Sequence, residues 1–387
     1  MNMDFRTTKI ESPPIVELME TAKEYLSSPR SLNLAQGVSG HTPPQESLDS
    51  VSGMMIQPSV HRYTADEGLL ELREELALYL RRHSGIDANP VDELVITGGA
   101  NQALAGAVLT LLKPGTNVIM PTPYYFNAVM AVQLCGCSVK EVPVDGRFQP
   151  IPESIAKAID KKTRAVVLVS PNNPTGAVYD QRVIESIVDI CIDNDLMLIS
   201  DETYARMVFD GSAHCSPMRH HDSSGHVVAL GSFSKDFGMS GWRIGYIIGS
   251  PEFIREFMKF QDTMVICAPT PSQLLALDVL RNGTDTVDEE MARLGRLRDM
   301  AYVRMAEIAE LHAVRTSGTF YLFPKVTNCT DSRSIVLDIL RKESMLLLPG
   351  SVFGRSGEGF MRISIGPLTP EAVDEAFNRL EHYFASR

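Results

Sequence analysis

The sequence predicts an α/β protein: a mostly parallel sheet covered by helices on both faces, followed by a smaller α+β unit. Three observations support this. Apolar, β-branched runs of strand length recur from about residue 92, amphipathic stretches of helix length separate them, and the texture changes after about residue 285. The strand runs are Leu94–Thr97, Asn117–Met120, Ala165–Val169, Leu196–Ser200, Val227–Leu230 and Ile244–Gly249. Helical patterns at Asn101–Leu112, Gln181–Asn194 and Glu252–Thr263 lie between them. Beyond 285 the pattern predicts a long helix from Thr286 to about Leu311 and strands at Phe320–Phe323 and Met361–Ser364. A helix over Ser332–Glu343 and a closing helix from Pro370 complete that unit. The first 45 residues, with one helix around Ile15–Leu26 and then extended chain, are expected to pack onto it. The expected division is a large domain over 46–284 and a small domain built from 1–45 and 285–387.

The bulk numbers exclude several classes. Of 387 residues, 44% are hydrophobic and 22% charged, the composition of an ordinary globular chain. No apolar stretch reaches the about 18 residues that a membrane helix needs. The opening MNMDFRTTKIESPP lacks the apolar core of a secretory leader, so a cytoplasmic protein is expected. A net charge of −12 argues against nucleic acid as a partner, because a phosphate backbone demands a basic face. Of the six cysteines, only Cys135 and Cys137 are close in sequence. One C-x-C without a second cluster predicts buried thiols rather than a metal site.

Four segments carry chemistry. In Gly231-Ser232-Phe233-Ser234-Lys235 a lysine follows an apolar strand and is flanked by hydroxyls. A desolvated amine there would have a lowered proton affinity, which suits Schiff-base chemistry and later proton transfer. Ser232, Ser234 and Arg243 could bind a phosphate dianion. In Leu196–Tyr204, Asp201 ends an apolar strand where ligands of parallel sheets bind, and could hold a pyridinium nitrogen protonated. Tyr204 could reach the hydroxyl of such a ring. Taken alone, Asp201 would serve equally well as a helix N-cap. Ile96–Gln102 runs from strand through Gly98 and Gly99 into a helix, which presents free amides to an anion. The Lys of a Walker motif is absent, and a plain strand-helix turn reads the same way. Ser170-Pro171-Asn172-Asn173-Pro174-Thr175-Gly176 follows another strand and by composition is a turn.

In their order and spacing these segments resemble the class I/II aminotransferases, the fold-type I pyridoxal-phosphate enzymes, from about residue 30 to the C-terminus. The stretches that carry the resemblance are HRYTADEGLLELREELA, ITGGANQAL, SPNNPTG, SDETY, SFSKDFGMSGWRIGY, GTFYLFP and MRIS. The resemblance implies a large domain with a mostly parallel seven-stranded sheet, a smaller α+β domain, and pyridoxal 5′-phosphate as cofactor. Lys235 would carry the cofactor as a Schiff base and move the proton at the substrate Cα. Asp201 would pair with the ring nitrogen, Tyr204 and Asn173 with the ring hydroxyl, and Tyr125 would stack on the ring. Gly99, Ala100, Asn101, Ser232, Ser234 and Arg243 would hold the phosphate. Tyr63 would reach it from the other subunit, which implies a homodimer with shared active sites. Arg362, helped by the Gly37 backbone and Asn173, would clamp the substrate carboxylate. The expected reaction passes the amino group of a neutral, aromatic or basic L-amino acid to a 2-oxo acid.

Two departures from the family pattern bear on the reaction. Where many members carry Pro-Asp-Phe or something close, this chain has Ser39-Gly40-His41. His41 is either an added acid or base beside the cofactor or a loop histidine. As a reacting group it would fit an alternative, a dioxygen-using arginine oxidase or hydroxylase that releases peroxide. Second, no arginine lies between Glu256 and Leu280, where dicarboxylate-specific members place one; Lys259 and Asp262 are the nearest charges. Asp262 or Glu11 could instead pair with a basic side chain, or be solvated surface carboxylates. A β-lyase would share nearly every residue named. Arg362 argues against a decarboxylase, and the acidic charge and the early start of the pattern argue against a DNA-binding regulator.

Overall fold

The computed structural model describes residues 5–220 and 225–386. The first four residues of the opening segment and the last residue of the 285–387 stretch therefore lie outside it. In chain order the strands begin with β1 (Leu32–Asn33), β2 (Leu94–Thr97), β3 (Asn117–Thr122), β4 (Ser138–Pro143) and β5 (Thr163–Val169). Then come β6 (Met197–Asp201), β7 (Val227–Ser232) and β8 (Gly245–Ile248). The later segments add β9 (Leu311–His312), β10 (Tyr321–Leu322), β11 (Lys325–Val326), β12 (Met345–Leu346), β13 (Leu348–Pro349) and β14 (Met361–Ser364).

Seven strands form one sheet in the order β2-β8-β7-β6-β5-β3-β4. Its pairs are parallel except those made by β8, which runs antiparallel to β2 and β7. Strand alternation sends successive residues to opposite layers. In β5, Ala165 and Val167 pack with the helices Ala100–Leu111, Phe126–Leu134 and Pro251–Val265. Val166 and Leu168 pack with Gln181–Asp193, Pro152–Ala158 and the first helix, Pro14–Leu26. The α/β class and the mostly parallel seven-stranded sheet are thus those expected from the sequence.

The chain ends build a different layer. β1 pairs in parallel with β12, β10-β14-β13 form a small sheet, and β11 pairs with β9. The helices Asp285–Ala306, Ser332–Glu343 and Pro370–Ala385 bury Leu297, Ile339 and Phe377 against these strands. Helix Ser332–Glu343 and strand β14 fall where the sequence placed them. The long helix stops at Ala306 rather than about 311, because Leu311 is taken into β9. Strand β4 was missed: at the sheet edge only Val142 of its residues is buried, so Ser-Val-Lys-Glu-Val-Pro carries no apolar run. None of the six cysteines is disulfide-bonded, and five are buried. No helix among the described residues is long and apolar enough to cross a membrane.

Candidate active site

The carboxyl ends of β2, β3, β5, β6 and β7 meet along one edge of the sheet, and β8 begins there. In parallel α/β sheets that edge is where ligands bind. It delivers Ala100 and Asn101 after β2, Tyr125 after β3, Asn173 after β5, Asp201 at the end of β6, and Ser232, Ser234 and Lys235 at and after β7. Arg243, just before β8, completes the edge, while Gly37 and Arg362 come from the chain-end layer. All of these line one cleft of about 150 Å³.

Asp201 is buried, and its Oδ1 accepts a hydrogen bond from the Thr203 amide at 3.0 Å. Burial pushes its carboxyl above the usual range, against the pull of Thr203 and Lys235. Lys235 donates from Nζ to the Gly37 carbonyl. Burial, reinforced by the positive charges of Arg362 and Arg243, pushes the Lys235 amine down to about 8, while Asp201 acts the other way. Although Lys235 keeps part of its surface open to the cleft, its amine end is packed among these groups.

The Tyr204 hydroxyl lies 2.8 Å from that of Tyr321. Burial pushes the Tyr125 phenol up to about 12, and Asn127 donates to its oxygen at 2.9 Å. Arg362 is buried: Nη1 donates to Asn173 Oδ1 at 2.8 Å, Nη2 to the Ala35 carbonyl, and the guanidinium lies 4.4 Å over the Tyr321 ring. Its Nε is buried with no partner. At the other end of the cleft, Ser232 Oγ accepts from the Ser234 amide at 3.0 Å and Arg243 is exposed. Gly99 is held at φ +98°, and a Cβ there would stand 2.6 Å from Arg243 Nη2, so a side chain would displace the guanidinium.

Gly99 flanks the cleft through Arg243 without lining it, and His41, Tyr63 and Glu11 lie elsewhere. His41 is not among the residues lining the cleft; its Nε2 lies 3.2 Å from the Asp236 carbonyl and its Nδ1 3.2 Å from Glu290 Oε1. Tyr63 is 75% exposed and lines a neighbouring groove of about 900 Å³ that shares only Arg243 with the cleft. That groove is larger, yet none of the buried carboxylates, phenols or amines described above lines it. Glu11 is tied at its edge of the fold to Gln133, with its carboxylate accepting at 3.2 Å. Sequence reasoning missed Ile15, Thr203, Ser240 and Tyr321 as cleft residues. Tyr321 lies inside GTFYLFP and Thr203 between Asp201 and Tyr204, so both were within reach of the motifs; Ile15 carried no local signal.

This donor set fits pyridoxal phosphate. The buried Asp201 carboxylate suits a protonated ring nitrogen, and hydroxyls with a guanidinium suit a phosphate. Between them stands an amine that gives up its proton readily. The match extends to known proteins. The model of "Aminotransferase class I and II" matches residues 30–380. The aromatic-amino-acid aminotransferase 2 of Thermococcus litoralis is 32% identical, covering 90% of this chain and 93% of its own. The aspartate aminotransferase of Pyrococcus abyssi is 34% identical over 82% of this chain and 83% of its own. Among solved structures, the aspartate aminotransferase of Thermus thermophilus with maleate superposes with a TM-score of 0.92 at 29% identity, covering 99% of each chain. With its fold, its cleft and nearly its whole length in agreement, the chain belongs to the class I and II aminotransferases and is a pyridoxal-phosphate-dependent enzyme.

Proposed function

We propose that this aminotransferase takes its amino group from a neutral, aromatic or basic L-amino acid and passes it to a 2-oxo acid. The observation that carries the reading is the composition of the cleft: among the described residues, the cations that line it are Lys235, Arg243 and Arg362. Two of them are spoken for by the roles below, and the third is the reacting amine, which leaves no guanidinium among the described lining residues for a side-chain carboxylate. The absence of arginine between Glu256 and Leu280 supports the same reading. The names of the relatives divide between aromatic and aspartate donors, so family membership leaves the side chain open.

Each residue then has a task. When bound, pyridoxal phosphate supplies an electron sink that makes the substrate Cα–H acidic. Asp201 keeps a proton on the ring nitrogen, and Tyr204 and Asn173 hold the ring oxygen. Tyr125 covers the ring face. Gly99, Ala100, Asn101, Ser232, Ser234 and Arg243 hold the phosphate. Arg362 and the Gly37 backbone fix the substrate carboxylate, a bidentate task that suits a planar guanidinium. Lys235 takes the Cα proton; its proton affinity, lowered to about 8, leaves a workable fraction of neutral amine near physiological pH.

We further propose a cytoplasmic homodimer with a large domain over 46–284 and a small one from both chain ends. Exposed Tyr63 and Val265 support it, being apolar surface of the groove that adjoins the cleft at Arg243. No observation favours the oxidase reading, since neither ring nitrogen of His41 faces the cleft. The test mixes cofactor-loaded protein with a panel of L-amino acids, without oxo acid, in air and under nitrogen. One stoichiometric change of the cofactor spectrum, indifferent to air and reversed by added oxo acid, is expected. Sustained oxygen uptake with peroxide would overturn it, and pyruvate with ammonia from a cysteine conjugate would point to a β-lyase.

A further inference from the structure

His41 stands outside the cleft, and its surroundings give it another task. Its side chain is 16% exposed, and both ring nitrogens face oxygen atoms that only accept. On one side is the backbone carbonyl of Asp236, the residue after Lys235. On the other is Glu290, whose Oε1 lies at ion-pair distance from Nδ1, a nitrogen that makes no hydrogen bond. Glu290 is gripped by Arg293 through both oxygens, at 2.7 Å each. Burial pushes the Glu290 carboxyl up, but its contacts with Arg293 and His41 prevail and hold it below the usual range. Arg293 also donates to the carbonyls of Ser39 at 3.0 Å, Gly366 at 2.7 Å and Leu368 at 3.0 Å.

The segment 37–41 is therefore fastened at three points. Gly37 is held by Lys235, Ser39 by Arg293, and His41 by Glu290 and the Lys235 turn. Gly238 makes the last contact feasible: at φ +65°, a Cβ there would stand 2.6 Å from the His41 carbonyl oxygen. An imidazole between two acceptors satisfies both only when both nitrogens carry protons.

We propose that His41 is a positioning residue, the pin of a charged clasp: as an imidazolium it joins Glu290 to the backbone of the Lys235 turn and holds segment 37–41 over the cleft. The proposal rests on the reading of Lys235 as the cofactor lysine, because the clasp aligns the Gly37 carbonyl with that amine. A ring with a single proton could serve only one of these two acceptors, and the segment would loosen. The charged groups that face the ring are Glu290 and Arg293 of helix Asp285–Ala306 and Asp236 of the Lys235 turn. Burial pushes the Asp236 carboxyl up to about 7, against Arg206, His41 and His214, so the protons must be counted on the His41 ring itself.

The experiment uses cofactor-loaded protein labelled with ¹⁵N at its nine histidines, with the His41 signal assigned by its loss in His41→Gln. Expected at neutral pH are two protonated ring nitrogens and slow amide exchange across 36–42. Glu290→Gln should turn His41 into a neutral ring and speed that exchange roughly tenfold, the effect of losing one charge-assisted bond. A neutral His41 in the parent protein, or unchanged exchange in Glu290→Gln, would overturn the clasp. Loss of turnover in His41→Gln with exchange of 36–42 unaltered would overturn it in favour of a reacting histidine. These readouts do not depend on Lys235, whose own role is read separately from the cofactor absorbance of Lys235→Ala.

Discussion

The two ends of the cleft are finished to different degrees within one chain. At the deep end Asp201, Tyr204, Asn173 and Arg362 are buried, and each is bonded to a neighbour that the fold itself supplies. At the outer end Arg243 and Tyr63 are exposed beside an open groove. Strand termini in the middle of a sheet can fix side chains without help, because their backbone is held from both sides. A loop tyrosine on the surface cannot be fixed in that way, and this is where the proposed second copy belongs. The deep end should therefore respond to substitution through chemistry, and the outer end through binding and assembly.

The sharpest test of that contrast is Lys235→Ala. It should abolish the Schiff-base absorbance and lower turnover by about 10³-fold or more, as loss of both nucleophile and proton carrier requires. A surviving band would place the cofactor elsewhere. Asp201→Asn should lower kcat by roughly 10²–10³-fold with the cofactor still bound, the scale of removing one preorganised charge. If it acted only through KM, the deep end would be a binding feature alone.

The third prediction concerns stability in the cofactor-free protein. The folded-state affinity of Lys235 is depressed to about 8 from 10.5, so between these values the unfolded chain binds the extra proton. Stability then rises with pH through that window. Below about 8 the buried charge costs about 3 kcal/mol, which Lys235→Met should recover, with the advantage fading as the pH approaches 10.5. Denaturant titrations at pH 7 and 10 check this, and an advantage independent of pH would sink it.

The smallest effect is expected at the outer end. Tyr63→Phe should weaken cofactor binding about fivefold, the worth of one hydrogen bond, and leave the pH profile of turnover unchanged. Sedimentation should show a dimer, and a monomer with full cofactor affinity would remove the contrast.

The same division governs what the sequence could reveal. β5, β6 and β7 are largely buried, so their apolar runs announced them, and the motifs at the ends of β6 and β7 placed Asp201, Ser232 and Lys235 on one edge. β4 carries one buried residue and gave no run. Two-residue strands such as β1 and β12 leave no periodicity to detect, because their pairing is decided by the packing of distant segments. Ile15 reaches the cleft only through that packing. His41 was noticed because it breaks the family pattern, but the direction of its ring is set by Glu290, which nothing near residue 41 discloses.

The pairing of Leu32 with Met345 also has a consequence for how the protein is made. A ribosome releases β2 through β8 long before it reaches β12, so the sheet can assemble while synthesis continues. The strand next to Gly37 must wait for residue 345, and Arg362 is added later still. Until then nascent chains carry Lys235 and the turns proposed to hold the phosphate on an unroofed surface. The enzyme becomes competent to discriminate among amino acids only once residue 362 has joined the folded sheet.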